Sequence, residues 1–426
     1  MISKFCIINK VKNNKSLVYG SLFSIYSFTG KGINFIILLL LANYISPSEY
    51  GYLNLFMTFV SFITIFIAFS TNGYLGISYF QKPIEEFKKD LFAIFFTGIL
   101  TLLFFSLLII SGGDYLSQLL KLQEKILVYA VFVSFFTFSF LLQQDYLRVR
   151  EKVGEYGIYN ISNAFLNLIL TFIFVVLLYQ GWIGRVNAML LCSLVFGVIS
   201  ICFFIKHELF RVNFNIERYK TILSWGIPMI PHNAAGWLRQ GLDRYIINYS
   251  YSVYEVGIFS FALNISNVIE MVGLAFNATN SVSLYQTLSN KELSNDNKLS
   301  ILNRQSRNIG IVYFVATIII AIFATLLTCF FFPQYQESIP YIYILCVCGF
   351  LKCLYFLYCN YLFYYSKTKQ LMYITFFTST THLLLSLLLT HYSLYFTSII
   401  YVLIQAVILC LVVRQRNLIV SQNLKR

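Results

Sequence analysis

Arg239, Asp243 and Arg244 lie close together inside one apolar stretch, SWGIPMIPHNAAGWLRQGLDRYIINY, running from Ser224 to Tyr249. A charge at mid-bilayer depth costs roughly 2.5–3.5 kcal/mol on insertion scales, so such residues face a watery or ligand-filled interior rather than lipid. Positive charge exceeds negative here, which points to an anion. Other apolar stretches carry polar residues of the same kind. Lys31, Arg239, Arg244 and Lys352 are the cationic candidates for binding a substrate. Asn34, Gln240 and Trp237 are candidates for hydroxyl groups and ring faces. Asp243, Glu270 and His382 are candidates for a coupling ion. Plainer readings stand beside these. Arg239 and Asp243 are spaced i,i+4 and suited to neutralise each other, and Lys31 can pair with Glu270. Arg244 or Lys352 can snorkel to an interface, and His232 and His382 can be hydrogen-bonded core. Stripes of Ser, Thr and Asn (Asn160, Asn163, Asn167 and Thr171, for example) commonly join helices through bonds worth about 1 kcal/mol or less.

The elements that position these residues are long apolar helices. Of 426 residues 58% are hydrophobic and 11% charged, with mean hydropathy +0.72; a soluble domain carries about 25% charged residues. The chain reads as an all-α polytopic membrane protein of about 12 transmembrane helices, centred on residues 20–44, 53–79, 90–110, 127–147, 157–179, 186–205, 222–248, 257–286, 309–332, 340–364, 371–390 and 394–413. A β-barrel would instead show short alternating segments. The first run is long enough to span, and no small-residue cleavage site closes a short one, so a cleaved signal peptide is not expected. Eight of the nine cysteines lie in spans as small hydrophobes, and no Cys/His set has zinc spacing. Neither a metal nor another cofactor is expected.

Lysine and arginine set the orientation. With the N-terminus inside, 24 of the 31 fall in inside segments, three (Lys121, Lys125, Arg185) outside, and four (Lys31, Arg239, Arg244, Lys352) within spans. This asymmetry follows the positive-inside rule and puts both termini in the cytoplasm. It also absorbs most of the +14 net charge. The basic residues form no single patch, so a nucleic-acid partner is not indicated.

Residues 49–55, EYGYLNL, resemble residues 255–261, EVGIFSF, and the same register aligns Gly30 with Gly236, Glu49 with Glu255 and Gly51 with Gly257. The expected organisation is a six-helix bundle over 1–206, a cytoplasmic linker over 207–221 and a second bundle over 222–426. Six spans per half give a parallel repeat about an axis along the membrane normal, with a central cavity between halves. Helices 3, 6, 9 and 12, mostly aliphatic and aromatic, are expected outside, facing lipid. Pro228 and Pro231 are expected to kink or break the seventh helix.

The run NYISPSEYGYLNL and the later WGIPMIP…WLRQGLDRYIINYSYSVYEVGIFSFA resemble the polysaccharide repeat-unit flippases of the multidrug/oligosaccharidyl-lipid/polysaccharide exporter superfamily. The likeness spans essentially the whole chain in length, span count and repeat. It implies a flippase for O-antigen, capsule or lipopolysaccharide sugars in a bacterial inner membrane. Such a protein moves an undecaprenyl-pyrophosphate-linked oligosaccharide to the periplasmic leaflet by alternating access, with proton or sodium coupling and a polymerase or ligase downstream. The family motif carries over to Asp243–Arg244, with Arg239 one turn before; Lys31 and Lys352 rest on depth and charge alone. Arginine suits the pyrophosphate oxygens. A small-molecule antiporter of the multidrug type shares the architecture but favours an acidic cavity. Peptidoglycan lipid-precursor flippases usually carry two more spans. A membrane glycosyltransferase or polymerase needs larger extramembrane loops, so no enzymatic activity is expected.

Overall fold

The computed structural model describes residues 15–424. Lys4, Lys10, Lys12, Lys425 and Arg426, counted above as cytoplasmic, lie outside the described residues, as does the side chain of His232. Helix dominates because the long apolar runs can satisfy their backbone only internally. In chain order the helices are α1 (Lys15–Tyr44), α2 (Pro47–Phe66), α3 (Tyr74–Gln81), α4 (Ile84–Leu120), α5 (Glu124–Val149), α6 (Val153–Thr171), α7 (Gly181–Lys206), α8 (Ile216–Gly226), α9 (Met229–Gln240), α10 (Leu242–Ser250), α11 (Val253–Ser289), α12 (Asn295–Phe331), α13 (Ile339–Tyr364), α14 (Thr368–Leu389) and α15 (Leu394–Asn423). Eleven segments among the described residues are long and apolar enough to cross a membrane. The twelfth expected span is α8–α10, broken into three. Its first break, Ile227–Pro228, follows from the prolines. The second falls at Gly241, where a Cβ would meet the Trp237 indole at 2.7 Å.

Two compact units result. The first holds the described residues up to Ile45 together with Leu55–Asn233; the second holds Ser46–Asn54 and Ala234–Arg426. The division therefore comes later than residue 222, with α8 in the first unit.

In the first unit α5 is the central helix, packed by α4 and α7, while α1 packs on α6. The α6 asparagines serve this packing. Asn160 lies against Gly30, Asn163 bonds the Cys192 thiol at 3.7 Å, and Asn167 Oδ1 accepts from Arg185 at 2.6 Å. Arg185 is thus no loop residue. It stands in the first turn of α7, buried, donating also to the Thr171 hydroxyl at 2.8 Å. Between α2 and α3 three successive residues, Ala68, Phe69 and Ser70, take left-handed φ of 52°, 48° and 57°. Each costs roughly 1–3 kcal/mol. Local bonds offset this: the Ala68 amide donates to Thr101 Oγ1 (3.1 Å), and Asn233 Nδ2 donates to Ser70 Oγ (3.1 Å).

In the second unit α13 is central, flanked by α11, α12 and α15. Buried thiols on α13 sit where helices close tightly; a Cβ on Gly273 would meet Cys353 Sγ at 2.5 Å. The outer placement expected for the last span does not hold across its whole surface. One face of α15 is buried, including Thr397, Ser398, Tyr401 and Gln405, because it covers α13 and α14. The turn opening α2 and the turn opening α11 meet in this unit. A Cβ on Gly51 would collide with the Val253 carbonyl, and one on Gly257 with the Pro47 carbonyl. The first turn is a capping box, Ser46 with Glu49; in the second, Ser252 Oγ accepts from the Tyr254 amide and donates to the Glu255 carboxylate.

Candidate functional site

Most of the charged candidates gather in the second unit, on α9 and α10 and the helices that receive them. Breaking the span at Gly241 restarts the helix at Leu242, and the new helix carries Asp243 and Arg244 in its first turn. The i,i+4 pairing of Arg239 with Asp243 does not form. Asp243 Oδ2 instead lies 2.7 Å from His382 Nε2 on α14, both side chains 1% exposed. Tyr401 of α15 stands edge-on to the imidazole, ring centres 5.0 Å apart. The carboxylate's other oxygen, Oδ1, and the Tyr401 hydroxyl make no hydrogen bond among the described residues. The arrangement sets a buried acid against an imidazole, with one carboxylate oxygen open beside a phenol.

Glu270 does not reach for Lys31; it binds Lys352 Nζ of α13 at 2.9 Å. The spans therefore hold fewer unpaired cations than a count of basic residues gives. Arg239 and Arg244 are what remains. Arg244 Nε donates to the Ser260 hydroxyl (3.0 Å) and Nη1 to the Gln240 carbonyl (2.7 Å). Arg239 Nε is buried without a hydrogen-bond partner among the described residues. Among those residues neither guanidinium lies within 4.0 Å of a carboxylate oxygen. Gln240 and Trp237, half-buried on α9, flank the same break. Lys31 and Asn34 belong to the first unit. Both are exposed on α1, with the Lys31 ammonium 5.6 Å from the Phe28 ring centre.

Sequence reasoning missed Ser260 and Tyr401. Ser260 shares a helical face with Asn264 and Asn267, extending that polar stripe by one turn, and Tyr401 lies in a span dominated by aliphatic residues. That stripe was the signal available for Ser260, and depth opposite a charged helix the only one for Tyr401.

A second charged cluster lies in the first unit. Asp90, fully buried at the start of α4, accepts from Ser78 Oγ (2.6 Å) and Lys82 Nζ (2.6 Å), and pairs with Arg218 of α8. Arg218 also bonds Glu86 Oε2 at 2.6 Å. Burial pulls the Arg218 guanidinium down, but its bonds to Glu86 and Asp90 outweigh this and raise it above its usual value. Every charge in this cluster has an opposite one in contact.

The family model described as "Polysaccharide biosynthesis protein" matches residues 20–283. This chain belongs to that family. It is 25% identical over 361 residues to an uncharacterized membrane protein of Haemophilus influenzae, covering 82% of this chain and 84% of the relative. It is also 25% identical over 319 residues to the capsular polysaccharide biosynthesis protein CapF of Staphylococcus aureus, covering 71% and 74%. Among solved structures, the inward closed conformation of the lipid II flippase MurJ matches with a TM-score of 0.76 at 15% identity, covering 92% of this chain and 87% of that one. An inward-facing multidrug resistance MATE family transporter of the MOP superfamily matches at 0.73 and 13% identity, covering 92% and 95%. The chain is a multi-pass membrane protein of the polysaccharide biosynthesis family, with a fold like that of those two proteins.

Proposed function

We propose that this protein flips an undecaprenyl-pyrophosphate-linked oligosaccharide repeat unit from the cytoplasmic to the periplasmic leaflet of a bacterial inner membrane. One observation carries this reading: Arg239 and Arg244 lie inside the second unit with no carboxylate oxygen within 4.0 Å of either guanidinium among the described residues. A guanidinium in low dielectric without a counter-charge is costly unless an anion completes it, and its fork matches pyrophosphate oxygens. Gln240 and Trp237 beside the helix break offer an amide and a ring face to the sugar. The family's role in polysaccharide biosynthesis agrees with such a cargo.

The matched Ser-Pro-Ser-Glu-Tyr-Gly and Ser-Val-Tyr-Glu-Val-Gly turns, each glycine packed on the other turn's backbone, support two six-helix bundles related by a parallel repeat. Alternating access is the mechanism that such a repeat suits. Both termini lie in the cytoplasm by the lysine and arginine bias. Asp243 and His382 form the coupling site, and a proton is the ion that suits an acid facing an imidazole. Lys352 and Glu270 act as a pair rather than as a free cation and a free acid. Cations without counter-charges disfavour a cationic drug as cargo, which sets this reading above a multidrug antiporter.

Replacing Arg244 with Glu puts a negative charge against the pyrophosphate. Surface polysaccharide should vanish while the amount of protein in the membrane stays at the wild-type level. Undiminished export by Arg244→Glu would overturn the assignment.

A further inference from the structure

The first unit contains a cavity that the reading above does not use. It measures about 500 Å³ and lies beside the N-terminal turns of α1, where Tyr19, Ser24, Ser27 and Phe28 meet Arg148 and Glu151 from the end of α5. A second cavity of about 370 Å³ shares Tyr19 and Glu151 and continues to Lys152 and Glu155 in the turn that opens α6. Sites for small ligands typically measure roughly 300–1,000 Å³. This end of the unit is the one that the lysine and arginine bias assigns to the cytoplasm.

Its chemistry is specific. The Arg148 guanidinium stands 5.6 Å from the Tyr156 ring centre, and Asp145 engages only its Nη1, at 3.1 Å. Half of the side chain is exposed. Arg148 is thus positioned, paired with Asp145 through one nitrogen and half-exposed to the groove. A planar guanidinium suits phosphate oxygens, the rings of Tyr19 and Phe28 offer faces to the apolar side of a pyranose, and the serine hydroxyls and the Glu151 carboxylate meet sugar hydroxyls. A purely apolar ligand would waste the polar half of this wall, and a bare inorganic anion would waste the aromatic half.

We propose that this groove is a second binding site, a cytoplasmic capture site for a phosphorylated or pyrophosphorylated sugar, and that its source is the lipid-linked repeat unit before translocation. The assignment rests on the flippase reading. It adds that the cargo is recognised in the first unit by its headgroup before Arg239 and Arg244 take the pyrophosphate.

Gly20 provides the test. It lines the groove, and a Cβ there would meet nothing within 4 Å. Gly20→Ala therefore leaves the groove open, whereas Gly20→Trp places a bulky ring on its lining. The full-length protein in nanodiscs is titrated, by native mass spectrometry, with undecaprenyl-pyrophosphate-linked glycans extracted from the native host. A parallel arm uses the host's nucleotide sugars. The expected result is two bound lipid-linked glycans in wild type and in Gly20→Ala, and at least ten-fold weaker binding of one of the two in Gly20→Trp and in Arg148→Gln. Unchanged binding in Gly20→Trp, with wild type binding normally, overturns the capture site alone. Nucleotide sugars that bind as tightly as the lipid-linked glycan overturn its lipid-linked source. Failure of the wild type to bind the lipid-linked glycan overturns the flippase reading itself.

Discussion

The two charged clusters of this molecule are built on opposite principles. Around Asp90 each charge touches an opposite one: Lys82 and Arg218 converge on the carboxylate, and Glu86 takes the rest of Arg218. Around the break between α9 and α10 the acids are used up by other partners, Asp243 by His382 and Glu270 by Lys352. Arg239 and Arg244 are left with hydroxyl, carbonyl and ring neighbours. The first arrangement is complete without a ligand and fastens α8 to α3 and α4. The second leaves two guanidiniums with no carboxylate oxygen in contact among the described residues. A charge inside a membrane protein is therefore a weak sign of function until its neighbours are known.

Mutations separate the two. Changing Arg239 and Arg244 together to Gln removes the cations while keeping hydrogen-bonding side chains. Export should fall at least a hundred-fold, measured as surface polysaccharide per molecule in the membrane, with little change in melting temperature. Asp90→Ala leaves two cations facing each other and should cost about 3–5 kcal/mol of stability, read as a lower melting temperature. Export per folded molecule should persist. Gly257→Ala drives a methyl group into the Pro47 carbonyl and should cost roughly 1–3 kcal/mol, seen as reduced membrane levels. Exchanging Lys352→Glu with Glu270→Lys should recover much of the activity that either change alone removes, a coupling of about 0.5–3 kcal/mol. Asn163→Ala, which touches only helix packing, should cost about 1 kcal/mol or less and leave export unaltered.

The spans and the family were legible because apolar runs, positive-inside bias and the proline pair are local signals. Pro228 marked the first break in the seventh span, but nothing marked Gly241. Its glycine is required by Trp237 four residues earlier, a contact visible only after folding. The left-handed turn at Ala68–Ser70 was equally silent. No glycine stands there, and Thr101, distant in sequence, helps to hold it. Pairing was the least legible level. Helical spacing suggested Arg239–Asp243, yet Asp243 turns to His382 on α14, and Arg185, placed in a loop, proved to be buried. Choice of partner depends on which helices lie side by side, and apolar periodicity does not specify that.

The central claim is that Arg244 completes its coordination with a pyrophosphate. The direct measurement is the affinity of nanodisc-embedded wild type, Arg244→Lys and Arg244→Gln for undecaprenyl pyrophosphate, with melting temperatures taken alongside. The account predicts at least a ten-fold loss in Arg244→Gln, a smaller loss in Arg244→Lys, and little change in melting temperature. Binding by Arg244→Gln as tight as wild type would contradict it.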